Sequence, residues 1–433
     1  MFQYVYQGGR MKQSNGKSLC RFLSVFFLLI FTHKIARAIT IDVADSPDTN
    51  LSLALTAINS AEETIVMNAY ELNSKEIAAA LIKQIKNSVL VTILEEGQPV
   101  GGIGDEGIAI REKVVAAMNR SSLPHKFLVM SAETPRGLRQ RRFHFNHAKY
   151  IIIDGQALLV GSENYTTSGH PVVGTKGTRG WETLIHDKGM ASSFQQLFKS
   201  DSSMAFGDVF LASESRFRGP IPFVGQWNLD FFEMASLEGF LSPSRLPKPK
   251  TFEVTTINQL TSPNTSLTGL LNFIKGAKTS LDLELMSFSY RWGNTGNVSP
   301  LFQAIVDAAR RGVEVRILLN DETVFGNHRG SQEEIAKKTN NVLTAEQLEA
   351  IGKKEGLAME AGIADVDAMG VKYIHNKGAL ADGKKVLISS INWNRNSLEN
   401  NRETAVVVHS EEVHDYYSAL FETDWNASRT KKH

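Results

Sequence analysis

His147 and His375 are each followed two residues later by a lysine, Lys149 and Lys377. At a fixed further distance each is followed by a serine and an asparagine two residues apart, Ser162 with Asn164 and Ser390 with Asn392. Residues i and i+2 of a strand share a face, so the imidazole and ammonium of each pair point the same way. Asp154-Gly155 and Asp382-Gly383 read as hairpin turns that fold the next strand back and return the serine and asparagine to the histidine end of the sheet. An imidazole, an ammonium, a hydroxyl and a carboxamide gathered twice describe a site for an anionic tetrahedral group. The lysines supply positive charge, and the serines and asparagines donate hydrogen bonds to non-bridging oxygens. Two histidines allow one to attack phosphorus while the other protonates the leaving oxygen, which requires one neutral and one protonated imidazole. An Asp before Gly is also ordinary turn chemistry. Asp154 and Asp382 are therefore read as supports of the site, by salt bridge, and not as reacting groups.

The elements that must position these residues also occur twice. Ser46-Pro47-Asp48-Thr49-Asn50-Leu51 answers to Ser262-Pro263-Asn264-Thr265-Ser266-Leu267 at an offset of 216 residues, and the run 89–94 answers to 313–318 at 224. The histidine and serine motifs both repeat at 228, so the chain is two homologous halves. Within each half, 64–70 and 281–290 read as strands, 74–86 and 300–311 as amphipathic helices, and 89–94 and 313–319 as strands again. A second helix follows in each half, over 109–118 and 333–357. This alternation predicts an α/β fold with helices on mixed sheets. The expected organisation is a leader over 1–38, a first lobe over 39–215, a Pro-rich connector over 216–250 and a second lobe over 251–433. Trp227, Phe231 and Phe232 suggest that part of the connector packs.

The leader reading rests on six basic residues without an acidic one, an apolar run from Phe22 to Phe31 and the triplet Ala36-Arg37-Ala38. Ten helical residues rise only about 15 Å, half of a roughly 30 Å hydrocarbon core, which favours a cleaved signal peptide over an anchor. Export to a periplasm or medium follows as the expectation, with Ile39 as the first mature residue. The only cysteine, Cys20, would leave with the leader, which excludes disulfides, thiol nucleophiles and thiolate metal sites from the mature protein. Of the 47 basic residues 41 remain beyond the leader, against 46 acidic ones, a net of −5 that is no general footprint for a polyanion.

Two copies of His-x-Lys-x4-Asp, each followed by Ser-x-Asn, resemble the phospholipase D superfamily, and the resemblance runs from about residue 46 to 425. It implies a pseudo-twofold pair of α/β lobes sharing one active site at their interface, a phosphohistidine intermediate and no metal ion or other cofactor. It also implies an acidic residue downstream of each motif that orients the histidine. Glu403, in Asn401-Arg402-Glu403-Thr404, fits that place at 28 residues past its histidine; Glu182, in Trp181-Glu182-Thr183, fits at 35, but Gly180-Trp181 replaces the preceding Asn-Arg. By family precedent His147 is the nucleophile and His375 the general acid, although the residues alone do not separate these roles.

Other residues carry more than one reading. Tyr165 and Trp393, directly after the motif asparagines, are core fillers or substrate contacts. His144, His170 and His186 have no compact metal-ligand spacing and read as incidental surface histidines. Arg136, Arg139, Arg141 and Arg142 form a solvated loop or bind a headgroup or nucleic acid strand. The expected activity is phospholipase D-type hydrolysis of a phospholipid to phosphatidic acid and free headgroup, with transfer to another alcohol as a further outcome. The expected protein is a monomer with peripheral membrane contact. A nuclease using the same residues on DNA or RNA is the first rival, and a non-catalytic phosphate-binding module the second.

Overall fold

The computed structural model describes residues 37–214, 246–325 and 339–429. Nearly all of the expected leader, most of the connector with its aromatic residues, and the start of the helix expected from 333 lie outside the described residues. Seven strands of the first sheet run, in spatial order, Lys126–Met130, Leu90–Glu96, Thr64–Ala69, Tyr150–Ile153, Ala157–Gly161, Gly180–Ile185 and Ile39–Ser46. The second sheet repeats that order with Met359–Ile363, Glu314–Leu319, Ser280–Leu285, Lys377–Ala381, Lys385–Ser389, Glu403–His409 and Thr256–Ser262. In both, the first three strands are parallel and the remaining neighbours antiparallel. The helices Lys75–Lys86, Asp105–Arg120, Pro300–Arg310 and Asn340–Glu355 lie in the parallel crossovers, as helical connections between parallel strands require. This is the α/β fold with mixed sheets expected from the sequence.

Local chemistry sets the element ends. Ser74 accepts from the Ile77 N–H and caps the Lys75–Lys86 helix, which buries Ile77, Leu81 and Ile85 at four-residue spacing. The strand expected over 281–290 stops at Leu285, where its pairing with both neighbours, Leu319 and Lys377, ends. The expected connector overlaps a strand at its last residue: Lys250–Val254 pairs with Ile39–Ser46, so the start of the second half adds an edge strand to the first sheet. Among the described residues no helix is long and apolar enough to cross a membrane.

Alternation along the strands divides the core. Ile151 and Ile153 enter an outer cluster with the first half's helices, whereas Tyr150 and Ile152 enter an inner cluster. That inner cluster joins Val160, Trp181 and Ile185 of the first half to Leu380, Ile388, Val406, Tyr417 and Phe421 of the second. The two halves share a core and form one compact unit.

Two buried arginines tie the halves together in matching ways. Arg402 lies against Asp201, with its Nε 2.8 Å from Oδ2 and Nη2 donating to Oδ1 at 3.0 Å, while Nη1 donates to the Ser262 carbonyl. Arg179 does the same with Asp424 at 2.6 and 3.0 Å and with the Ser46 carbonyl at 3.0 Å. Removing one partner leaves an uncompensated buried charge, which costs about 3–5 kcal/mol. Arg402→Met should therefore lower the unfolding free energy by about that amount in urea titration; a loss below about 1 kcal/mol, the size of an exposed pair, would show that the contact is dispensable.

Candidate active site

The two histidine motifs enter the same place from opposite halves. His147 donates its backbone N–H to the Arg402 carbonyl at 2.8 Å, and His375 donates its own to the Arg179 carbonyl at 2.9 Å. Each motif is thus pinned by the other half. Both histidines stand just ahead of their sheets, since the pairing strands begin at Tyr150 and Lys377. Both are nearly fully buried.

His147 Nδ1 donates to Glu403 Oε2 at 2.7 Å, which leaves Nε2 free for chemistry. The carboxylate comes from the opposite half, 256 residues away in the chain. Glu403 is further held by Ser390 Oγ at 2.7 Å and Asn401 Nδ2 at 3.0 Å. Behind His375 stands Glu163, with Oε2 3.3 Å from Nδ1, a contact too oblique to count as a hydrogen bond. Lys149 and Lys377 are buried, and each donates its ammonium to the carbonyl of its own histidine.

Several expected placements change. Glu182 does not meet a motif histidine; it lies 3.1 Å from Nε2 of His170, whose Nδ1 contacts the Asn164 carbonyl, in a fully buried cluster. His170 is therefore a core residue and not an incidental surface one. Glu163, the middle residue of Ser162-Glu163-Asn164, was missed because that position has no assigned function in the motif. The Ser162 and Ser390 hydroxyls, expected on the phosphate, are turned to Glu163 and Glu403 and accept from the N–H groups of Trp181 and Thr404. Asn164 donates to Glu71 Oε2 at 2.8 Å, whereas Asn392 lines the open pocket with its Oδ1 unpartnered.

Asp154 and Asp382 support the fold at the far ends of their strands. Asp154 accepts from the backbone N–H groups of Glu62, Glu63 and Thr64, and Asp382 from those of Lys278, Thr279 and Ser280. The expected salt bridges are replaced by backbone capping. Positive φ at both residues of Asp154-Gly155 and Asp382-Gly383 fits the tight hairpin turn expected there. Tyr165 and Trp393 are buried in core clusters, which resolves them as core fillers.

The local electrostatics leave the site short of protons. Burial, aided by Lys149 and Lys377, pulls both His147 and His375 down to about 4 against the opposing carboxylates. Burial likewise lowers Lys149 to about 7 and Lys377 well below its ordinary value. Burial works to raise Glu403 and Glu163, but the adjacent histidines and lysines more than offset it and hold both carboxyls below the ordinary range. At neutral pH both imidazoles are therefore neutral, which suits a nucleophile but not a general acid. A bound phosphate anion favours the protonated forms of its neighbours and raises their pKa values, so binding should draw protons in. Calorimetric titration with dimethyl phosphate, which does not titrate near neutrality, should show uptake of about one proton at pH 7 when buffers of different ionisation enthalpy are compared; zero uptake or release would contradict this electrostatic picture.

A pocket of about 410 Å³ opens beside His147, lined by Tyr70, Phe145, Ser287, Ser289, Asn392, Asn394, Arg395 and Asn401 among others. It is large enough for a small polar group next to the imidazole. Of the basic run, Arg141 pairs with Glu96 and Arg142 with Asp208, so half of its charge is internally satisfied. Among the described residues no cluster of three or more His, Cys, Asp or Glu is placed to hold a metal ion.

The two histidine–lysine motifs come together from opposite halves, each imidazole close to the lysine of the other motif, which is the arrangement the phospholipase D resemblance implies. The family described as cardiolipin synthase, PLD-like domain, matches residues 54–202 and 270–425, and the chain belongs to the phospholipase D superfamily. Its sequence is 27% identical over 169 residues to the mitochondrial cardiolipin hydrolase of Canis lupus familiaris, covering 39% of this chain and 54% of that protein. Against the mitochondrial cardiolipin hydrolase of Mus musculus it is 27% identical over 161 residues, covering 37% and 58%. The matches thus span little more than half the length of these relatives. Phosphatidylserine synthase of Haemophilus influenzae has a similar fold, with a TM-score of 0.61 at 13% identity over 89% of this chain and 85% of that one.

Proposed function

We propose that this protein is a phospholipase D-type phosphodiesterase that cleaves the bond between phosphate and headgroup alcohol of a phospholipid, releasing phosphatidic acid. The observation that carries the reading is the pair of buried imidazoles, one from each half, each with a carboxylate at Nδ1 and a lysine of its own motif behind it. One imidazole, His147 by the family resemblance, attacks phosphorus through Nε2 to form a phosphohistidine. The other, drawn into its protonated form by the substrate's charge, gives its proton to the leaving oxygen and then activates the incoming water or alcohol. Lys149 and Lys377 offset the negative charge that builds on the non-bridging oxygens. No step in this route calls for a metal ion.

A lipid substrate is favoured over a nucleic acid by the internal pairing of Arg141 and Arg142, and it accords with the lipid-acting names of the relatives. Vesicles of phosphatidylcholine should yield phosphatidic acid and choline, those of cardiolipin phosphatidic acid and phosphatidylglycerol, and added ethanol should be captured as phosphatidylethanol. A ligand held through one phosphate shows shallow salt dependence, whereas a strand held through several releases counterions and shows a steep one. Turnover of single-stranded DNA with a steep salt slope, and none of vesicles or micelles, would transfer the site to a nuclease; no turnover of either would favour the binding module. The proposed setting is outside the cytoplasm, at a membrane surface.

A further inference from the structure

The site's two carboxylates arise from different positions of the repeat. The edge strands set the equivalence: Ser46 pairs with Gly180 in the first sheet as Ser262 pairs with Glu403 in the second. Thr178-Arg179-Gly180 therefore corresponds to Asn401-Arg402-Glu403, and Arg179 and Arg402 confirm it through their matching cross-half contacts. The carboxylate-bearing position of the second half is thus glycine in the first. Conversely, Glu163 corresponds to Ile391, which is fully buried.

The rest of the cradle is kept. Thr178 Oγ1 donates to Glu163 Oε2 at 2.6 Å as Asn401 donates to Glu403, and Ser162 and Ser390 each donate to the carboxylate of their own half. A Cβ at Gly180 would fall onto the Glu163 carboxylate, so the two positions compete for one space. Glu163 occupies the hole that a glutamate at 180 would fill.

We propose that the first half has exchanged its histidine-orienting carboxylate from position 180 to position 163, making Glu163 the positioning residue of His375. The inference rests on the phosphodiesterase reading for its kinetic consequence but not for its geometry. Nor is the substitution equivalent in detail: Glu403 makes an aligned bond to His147, whereas Glu163 meets His375 obliquely at 3.3 Å. His375 is the less tightly fixed of the two imidazoles and has more freedom to turn between leaving group and incoming alcohol.

The exchange can be reversed. In the full chain, Glu163→Ile should lower turnover of bis(p-nitrophenyl) phosphate by about 100-fold or more, since an orienting carboxylate fixes both tautomer and direction of its histidine. Gly180→Glu alone should also lose activity, because two carboxylates then crowd one hole. The double variant Glu163→Ile/Gly180→Glu rebuilds the second half's arrangement and should recover to within about tenfold of the parent. A folded double variant no more active than Glu163→Ile, with its melting temperature unchanged, overturns the proposal. An independent reading comes from the ¹⁵N signals of His375, assigned through His375→Asn. The Nδ1–H tautomer should be present in the parent, depleted in Glu163→Ile and restored in the double variant; an unaltered tautomer in Glu163→Ile also overturns the proposal. If the parent turns over neither the chromogenic diester nor vesicles, the phosphodiesterase reading falls while the tautomer series still decides the role of Glu163.

Discussion

His147→Ala and His375→Ala should each lower phosphodiester turnover by at least about a thousandfold, measured as kcat under saturating vesicle or chromogenic substrate. A covalent route through imidazole needs a nucleophile to form the intermediate and a proton donor to release the alcohol, and among the described residues no other imidazole contacts Glu403 or Glu163. The neighbouring lysines cannot substitute, because each ammonium is turned to the carbonyl of its own histidine. Ionisation of these histidines contributes nothing to stability at pH 7, because both imidazoles are neutral in the folded chain and the ordinary histidine value lies below that pH. In that linkage the unfolded chain takes up protons near the ordinary histidine value while the folded one waits until about 4, so stability falls with pH between those limits and the alanine variants should lose that part of the acid sensitivity. EDTA should leave the parent's turnover unchanged. Near-parent activity in either variant, or loss to EDTA restored by zinc, would remove the phosphohistidine mechanism.

Separating the halves should abolish activity completely. Fragments 37–214 and 246–429 each hold one histidine motif, but His147 needs Glu403 and His375 is pinned by Arg179, both across the division. Each fragment would also expose an inner sheet face that the intact chain buries, including Tyr150, Ile152 and Trp181 on one side and Leu380, Ile388 and Val406 on the other. Burying a large apolar side chain is worth about 1.5–3 kcal/mol, so the loss exceeds the whole stability of an ordinary domain. The first fragment further loses Lys250–Val254 from its sheet edge. Each fragment alone should be poorly folded by circular dichroism and inactive, with activity returning only on co-expression or mixing. One fragment turning over a diester as a monomer would end the shared-site picture.

Features set by short-range geometry were legible in the residues alone. The pairing of His147 with Lys149 and of His375 with Lys377 depends on two-residue spacing, and the return of Ser162 and Ser390 depends on a turn that Asp-Gly dictates. The duplication followed from offsets that persist through each half, and the matching strand orders express it. Which carboxylate serves which histidine was not legible there. That choice depends on contacts 212 and 256 residues apart, and on sheet register that loop lengths conceal. Glu182 is one same-face step beyond Gly180, paired with Gly161, and a step of two strand residues is about 6.6 Å, enough to remove a carboxylate from an imidazole. The loop before Arg179 is five residues longer than its counterpart before Arg402, so counting from each histidine could not place the register. Once the edge strand fixes Ser46 opposite Gly180, the hole behind His375 belongs to whichever side chain reaches it, and Glu163 reaches it from the adjacent strand end because glycine leaves the space open.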